Sequence, residues 1–284
     1  MKPLQYIRAA LILGLAVALP VQADRFANVQ IETQSLGNGI YMLTGSGGNI
    51  GVSAGEDGLL IIDDQYAPLS EKISKALEQI QAGAPRFVIN THHHGDHTGG
   101  NAHFGKTGTI MAHHNVRRHL HADNQPKKAL PVLTYDEGIV LHFNQDTIKI
   151  EHMGIGHTDG DSLVFWEKAN VVHMGDQYFQ GRFPFVDLGN GGNVSGYLAT
   201  VEKVIARIDD KTQVIPGHGP LSNRTELMEF ATMIKETQAY VAAAKANGVS
   251  EDDAVKQGVQ AKYKDWAWGF ITEEKWVRTL YQSN

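Results

Sequence analysis

The chain has 284 residues, a formal net charge of -6 from 25 Lys and Arg against 31 Asp and Glu, and no cysteine. That balance, with no basic block, argues against a nucleic-acid partner, whose phosphates are bound by clustered Lys and Arg. The lack of cysteine excludes disulfides, thiol catalysis and thiolate metal ligands, and the length is ample for a large core in one domain or two packed halves.

Residues 1–23, "MKPLQYIRAALILGLAVALPVQA", combine basic Lys2 and Arg8, an apolar stretch from Ala9 to Leu19 and a Val21-Gln22-Ala23 ending. They read as a secretory signal cleaved near Ala23, which implies a periplasmic or secreted protein. The rival reading is a membrane anchor, but a spanning segment needs about 20 apolar residues, so no stable anchor is expected. Loss of Lys2 and Arg8 takes the net charge from -6 to -8 and leaves 24–284 as a single domain ending in a helical segment.

From Val29 to Ile62 the chain reads as a meander of short strands with glycine turns, in "VQIETQSLG", "GIYMLTG", "GNIGVSAG" and "GLLIIDD". "APLSEKISKALEQIQ" then places Leu69, Ile73, Ala76, Leu77 and Ile80 on one helical face. After Pro85 the strand "RFVIN" runs into "THHHGDHTGG", and loops leaving such strand ends are where α/β proteins hold their chemistry. "GTIMAHH" reads as a strand and "NVRRHLHAD" as a short helix.

A second run of strands begins near Pro131 with "VLTYDEGIVLHFN", "DTIKIEHMG", "DSLVFWEKA" and "NVVHMGD". "VSGYLATVEKVIARI" is an amphipathic helix on Tyr197, Val201, Val204, Ile205 and Ile208, followed by "TQVIPGHG". Three helices close the chain, from about Thr225 to Ala246, Glu251 to Lys262 and Glu273 to Tyr281. The expected class is α/β: two mixed sheets packed face to face, helices on both outer faces, and loops of both halves meeting along one edge.

His92, His94, Asp96 and His97 are joined by His157 in "GIGHTDGDS", Asp176 in "VVHMGDQ" and His218 in "VIPGHGP", each just after an apolar strand and beside glycine. Several such residues converging on one edge make a site where one alone would not. A catalytic zinc takes three protein ligands and leaves a position for water, and two ions about 3.5 to 4 Å apart can share that water. The count points to two zinc ions, with His92, His94 and His157 on the first and Asp96, His97 and His218 on the second. Asp176 is left as a carboxylate of the type that bridges both. Residues two apart point the same way in a tight or extended loop, so His92 and His94 share an ion while His93 faces elsewhere.

"THHHGDHTGG" resembles the His-x-His-x-Asp-His signature of the metallo-β-lactamase fold superfamily, and His157, Asp176 and His218 match its later motifs in order and type. The resemblance covers roughly Gln34 to Ala239 and implies a four-layer αβ/βα sandwich with a dinuclear site, usually zinc, at one edge. The cysteine ligand of the commonest lactamase subgroup has no equivalent here, and Asp176 in a bridging role is similar to the glyoxalase II pattern instead. His94 in place of glutamate departs from the flavodiiron branch. Only 60 residues separate His157 from His218, which leaves no room for the inserted domain of the nuclease branches.

Two such cations would supply a hydroxide for attack on a carbonyl near neutral pH, with Asp96 as the catalytic carboxylate that orients it and carries its proton. A ligating imidazole gives its other N–H to a carboxylate, carbonyl or water. Asp63, ending the apolar run "LLIID", is expected beneath the site, because a carboxylate there would otherwise be costly to desolvate. An exposed turn aspartate beside Asp64 is the plainer reading. Asp64, Thr91, Asp159 and Asp161 are the other candidates.

Tyr178, Phe179, Arg182, Phe183 and Phe185 in the loop after Asp176 are candidate substrate contacts, with Arg182 to hold a carboxylate, or else core cover. Asn190 and Asn193 offer amides to an oxyanion, although Asn193 also suits a helix cap. His113 and His114 are candidates to line the cleft. "GSGGNIGV" reads as a hairpin turn near the active edge, and the aromatic "WAWGF" as packing or a dimer contact.

The leading expectation is an exported zinc hydrolase opening an amide or ester of a small-molecule carbonyl substrate, with a β-lactam as the named substrate. The alternatives are a glyoxalase II-like thioesterase or lactonase, an iron-dependent persulfide dioxygenase, and a non-catalytic metal-binding protein. A monomer or homodimer fits each.

Overall fold

The computed structural model describes residues 25–283. The signal-peptide reading falls on residues 1–23 and lies outside them. Among the described residues no helix is long and apolar enough to cross a membrane.

The first half opens with a meander of four strands, β1 (Glu32–Gly37), β2 (Ile40–Thr44), β3 (Ile50–Gly55) and β4 (Gly58–Ile62). Helix α1 (Ser70–Ile80) crosses over to β5 (Pro85–Asn90), short helices α2 (Gly95–Thr98) and α3 (Asn101–Phe104) follow, and β6 (Thr109–His113) leads through α4 (His114–Ala122) to β7 (Leu133–Tyr135). These seven strands form one sheet in chain order, antiparallel through β4 and parallel from β4 to β7.

The second half repeats the scheme with β8 (Gly138–Phe143), β9 (Asp146–Glu151), β10 (Leu163–Trp166), β11 (Val171–His173), helix α5 (Val194–Arg207), β12 (Gln213–Ile215) and β13 (Ser222–Asn223). Its six strands lie in the order β13-β12-β11-β10-β9-β8, with β11 and β12 parallel. Helices α6 (Arg224–Ala246), α7 (Glu251–Gln257) and α8 (Glu273–Ser283) complete the chain.

Strand alternation sorts the apolar residues into layers. In β4, Leu60 and Ile62 face the second sheet, meeting Ile148, Val164 and Trp166 in a core between the sheets. Leu59 and Ile61 point the other way, onto Ile73 and Leu77 of α1. In β10, Val164 and Trp166 join the inter-sheet core, while Leu163 and Phe165 pack under Tyr197 and Val201 of α5, Phe230 of α6 and Trp276 of α8. The central strands of both sheets are therefore buried on both faces, which is the αβ/βα sandwich expected from the pattern.

Three local expectations are corrected. "VLTYDEGIVLHFN" is two strands in different sheets: β7 pairs with β6, and after the turn at Asp136 and Glu137, β8 pairs with β9. The helix expected from Glu251 to Lys262 stops at Gln257, where Gly258 turns to φ +67°, and a 3-10 turn over Ala261–Trp266 follows. The histidine loop is wound into α2 at Gly95–Thr98.

Candidate metal centre

Strand ends of both sheets deliver the ligand-type side chains to one edge. β5 releases His92 and His94, α2 carries Asp96 and His97, and His157 lies between β9 and β10. Asp176 sits in the 3-10 turn Gly175–Gln177 after β11, and His218 follows β12. Their ligand atoms gather in two groups, His92, His94, His157 and Asp176, and Asp96, His97 and His218, each within 4.8 Å.

Asp176 stands between the groups. Its Oδ2 lies 3.8 Å from His92 Nε2 and 3.5 Å from His157 Nε2, while Oδ1 lies 3.0 Å from His97 Nε2 and 3.3 Å from His218 Nε2.

Outer hydrogen bonds fix which imidazole nitrogen keeps its lone pair. His97 Nδ1 donates to Asp63 Oδ2 at 2.7 Å, His157 Nδ1 to the Phe185 carbonyl at 2.8 Å, and His94 Nε2 to Asp187 Oδ2 at 2.9 Å. Thr91 Oγ1 donates to Asp63 Oδ2 and so accepts from His92 Nδ1 at 3.0 Å. On His92, His94 and His157 the opposite nitrogens are then bare acceptors, and His157 Nε2 faces His94 Nδ1 at only 3.0 Å. His92 Nε2 is buried with no hydrogen-bond partner, a state that costs about 1–3 kcal/mol when nothing fills it. Converging lone pairs around a shared carboxylate repel one another unless a cation lies among them. The residues fit a dinuclear metal site.

Titration differs between the groups. Burial pushes His157 down to about 4 and holds His92 well below the usual imidazole range. Burial opposes charge on His97 and His218 as well, but the Asp176 carboxylate overcomes it and raises both, His218 to about 9. Burial likewise opposes ionisation of Asp176, and His97 and His218 hold it well below the usual carboxylate range.

Two glycines let backbone close on the site. A Cβ on Gly48 would lie 2.1 Å from His97 Cε1, and one on Gly217 would lie 2.1 Å from Asp176 Oδ1. Gly48 thus brings the β2–β3 hairpin over the centre, where its amide donates to the Asp96 carbonyl at 3.1 Å.

The centre opens into a cavity of about 540 Å³. His94, Asp96, Asp176 and His218 reach its floor; Arg25, Ser46, Gly47 and Tyr66 form one flank, and Phe179, Phe185, Trp268 and Phe270 the other. Of the candidate substrate contacts, Phe179 and Phe185 line the cavity. Arg182 does not: its guanidinium lies 5.0 Å from the Trp268 ring. The Tyr178 ring is fully buried, with its hydroxyl 2.7 Å from Ser222 Oγ. Asn190 donates to Asp187 Oδ2 at 2.8 Å, and Asn193 caps α5 through the Gly196 amide.

Asp63 and Asp64 are both fully buried, so the exposed-turn reading fails. Asp64 accepts from the Gly100 amide, Asp161 from Thr158 and Gln177, and Asp159 from Arg118. His113 accepts from the Asn115 amide and stacks on His152, away from the cavity. Ser46 and Gly47 belong to the "GSGGNIGV" hairpin expected near the active edge, whereas Asp187 behind His94, and Arg25 and Tyr66, escaped the sequence reading, because nothing in their local pattern marks them.

Comparison with known proteins agrees with this geometry. A family model for the metallo-beta-lactamase superfamily matches residues 43–218. A hydroxyacylglutathione hydrolase from a Polaromonas species is 29% identical over 68% of this chain and 69% of its own length. A type 2 metallo-beta-lactamase from Bacteroides fragilis is 22% identical over 63% and 74%. The solved metallo-beta-lactamase from Pontibacter korlensis superposes with a TM-score of 0.64 at 14% identity, covering 72% of this chain and 99% of that one. With its two-sheet sandwich and the His and Asp clusters of a dinuclear metal-dependent hydrolase at the sheet edge, the chain belongs to the metallo-beta-lactamase superfamily.

Proposed function

We propose that the chain hydrolyses thioesters or related esters, lactones included, with two zinc ions. His92, His94 and His157 would hold one, Asp96, His97 and His218 the other, and Asp176 would span both. Such ions, when bound, lower the pKa of water toward about 7 and polarise a carbonyl. The protein's share is placement. Asp63, Asp187, Thr91 and the Phe185 carbonyl hold the imidazoles in the required tautomer. Asp96, 22% exposed at the cavity floor, is placed to accept a proton beside the substrate, whereas His92, His97 and His157 are sealed beneath.

The observation that carries this reading is Asp176, one oxygen turned to each cluster, where a bridging carboxylate belongs. The match to hydroxyacylglutathione hydrolases, extending over 68% of the chain in the Polaromonas protein, supports thioester over lactam chemistry. β-Lactam opening is the second reading, favoured by the Bacteroides fragilis relative.

The test is metal content of the purified chain with initial rates on S-lactoylglutathione, a lactone and nitrocefin. Two metal equivalents and thioester or lactone rates far above nitrocefin are expected, with Asp176→Asn lowering kcat/KM by about 100-fold or more. Nitrocefin as the best substrate would reverse the ranking. A single iron, with oxygen uptake on a persulfide, would replace the hydrolase reading by a dioxygenase.

A further inference from the structure

The lining of the cavity falls into an aromatic group and a mostly polar group. On one flank, the Phe185 ring centroid lies 5.6 Å from those of both His94 and His157, and Phe179 stacks on His218 at 5.0 Å. Trp268 and Phe270 extend this wall, with Phe270 set edge-on to Phe185 at 5.4 Å and to Trp268 at 5.6 Å. The indole Nε1 of Trp268 donates to the Phe183 carbonyl at 2.9 Å, so its polar edge is already satisfied. Phe270 is 49% exposed, an uncovered ring at the mouth of a buried metal centre.

The opposite flank is polar. A Cβ on Gly47 would lie 3.1 Å from Asp96 Cβ and 3.4 Å from Tyr66 Cδ2, which places Tyr66 beside the Asp96 cluster. Arg25, the one Lys or Arg among the described residues that lines the cavity, lies 4.5 Å from the Phe26 ring and 4.9 Å from the Tyr66 ring. No described carboxylate forms an ion pair with it. A tyrosine hydroxyl is un-ionised near neutral pH and can donate. In an acidic chain, a guanidinium turned to an active cavity without a carboxylate partner is a binding group for an anion.

We infer that the cavity takes a substrate carrying an aromatic or bulky apolar group on one side of the scissile carbonyl, against Phe185, Trp268 and Phe270, and a carboxylate on the other, on Arg25 and Tyr66. Cleavage at that carbonyl rests on the hydrolase reading; the two-sided selectivity does not.

The test uses the metal-loaded protein and two thioester sets. In one, phenylacetyl or acetyl is joined to 3-mercaptopropionate or its methyl ester; in the other, succinyl or its methyl ester is joined to benzyl or methyl thiol. In one set, the compound with both ring and carboxylate should exceed its neutral partner by about tenfold in kcat/KM and its ringless partner by about fivefold. Arg25→Gln should abolish the first ratio and keep the second, and Phe270→Ala should do the reverse. A non-hydrolysable thioether with the same ends, followed by tryptophan fluorescence, should bind about tenfold more weakly to Arg25→Gln.

Equal turnover of charged and neutral compounds in both sets, or ratios that Arg25→Gln leaves in place, would overturn the inference. No turnover, with selective thioether binding intact, would fell the hydrolase reading and leave the cavity assignment standing. Neither turnover nor selective binding would fell both.

Discussion

Asp63 occupies left-handed backbone at φ +63°, a conformation that costs a non-glycine residue about 1–3 kcal/mol. Four hydrogen bonds offset it: the Asp63 amide donates to Ile89, and the carboxylate accepts from the Thr91 amide, Thr91 Oγ1 and His97 Nδ1, all within 2.8 Å. An asparagine would keep the size and lose the second acceptor oxygen. Asp63→Asn should therefore weaken zinc binding by about 10–100-fold, seen as the loss of one tight equivalent in a competitive chelator titration; unchanged affinity would remove Asp63 from the site. This residue was legible because a carboxylate ending so apolar a strand needs a partner. Asp187, the counterpart behind His94, was not, for it lies 93 positions away in an irregular loop.

Among the elements, helices and central strands announced themselves by period. α5 runs from Val194, one residue after the asparagine whose side chain accepts from the Gly196 amide at 2.8 Å. Asn193→Ala should cost about 1 kcal/mol, a fall in Tm of about 2–4 °C by calorimetry, with no change in metal affinity. A large loss of activity without loss of stability would instead favour the oxyanion role weighed for this amide. The division of residues 132–144 into β7 and β8 had no such signal. Both are edge strands with exposed side chains, such as Leu133 at 47% and Val140 at 50%, and which sheet each joins is set by pairing partners far along the chain.

At the scale of the whole molecule, the first sheet supplies His92, His94, Asp96 and His97, and the second supplies His157, Asp176 and His218. Bound metal would tie the two halves and stabilise the fold by mass action, by about 2.7 kcal/mol at a hundredfold excess over Kd. The pH dependence follows from His218, which Asp176 raises from 6.5 to about 9 against the effect of burial. A histidine raised on folding stabilises the metal-free protein below 6.5 and loses that contribution as pH climbs through about 9. Zinc needs the same imidazole unprotonated, so its contribution grows over that interval. The gap in Tm between zinc-loaded and chelated protein should widen from pH 6.5 to 9 in differential scanning calorimetry. A constant or narrowing gap would show that His218 does not ligate.

Sequence alone determined the sandwich and the seven ligand-type residues, because strand and helix periods, glycine turns and chemically rare side chains are local properties. The tertiary structure decided which imidazole nitrogen faces the centre, which carboxylate lies behind each ring, and that Arg25 rather than Arg182 meets the cavity. Those depend on distances between segments far apart in the chain, set by the packing of two sheets, and no periodicity within one segment encodes them.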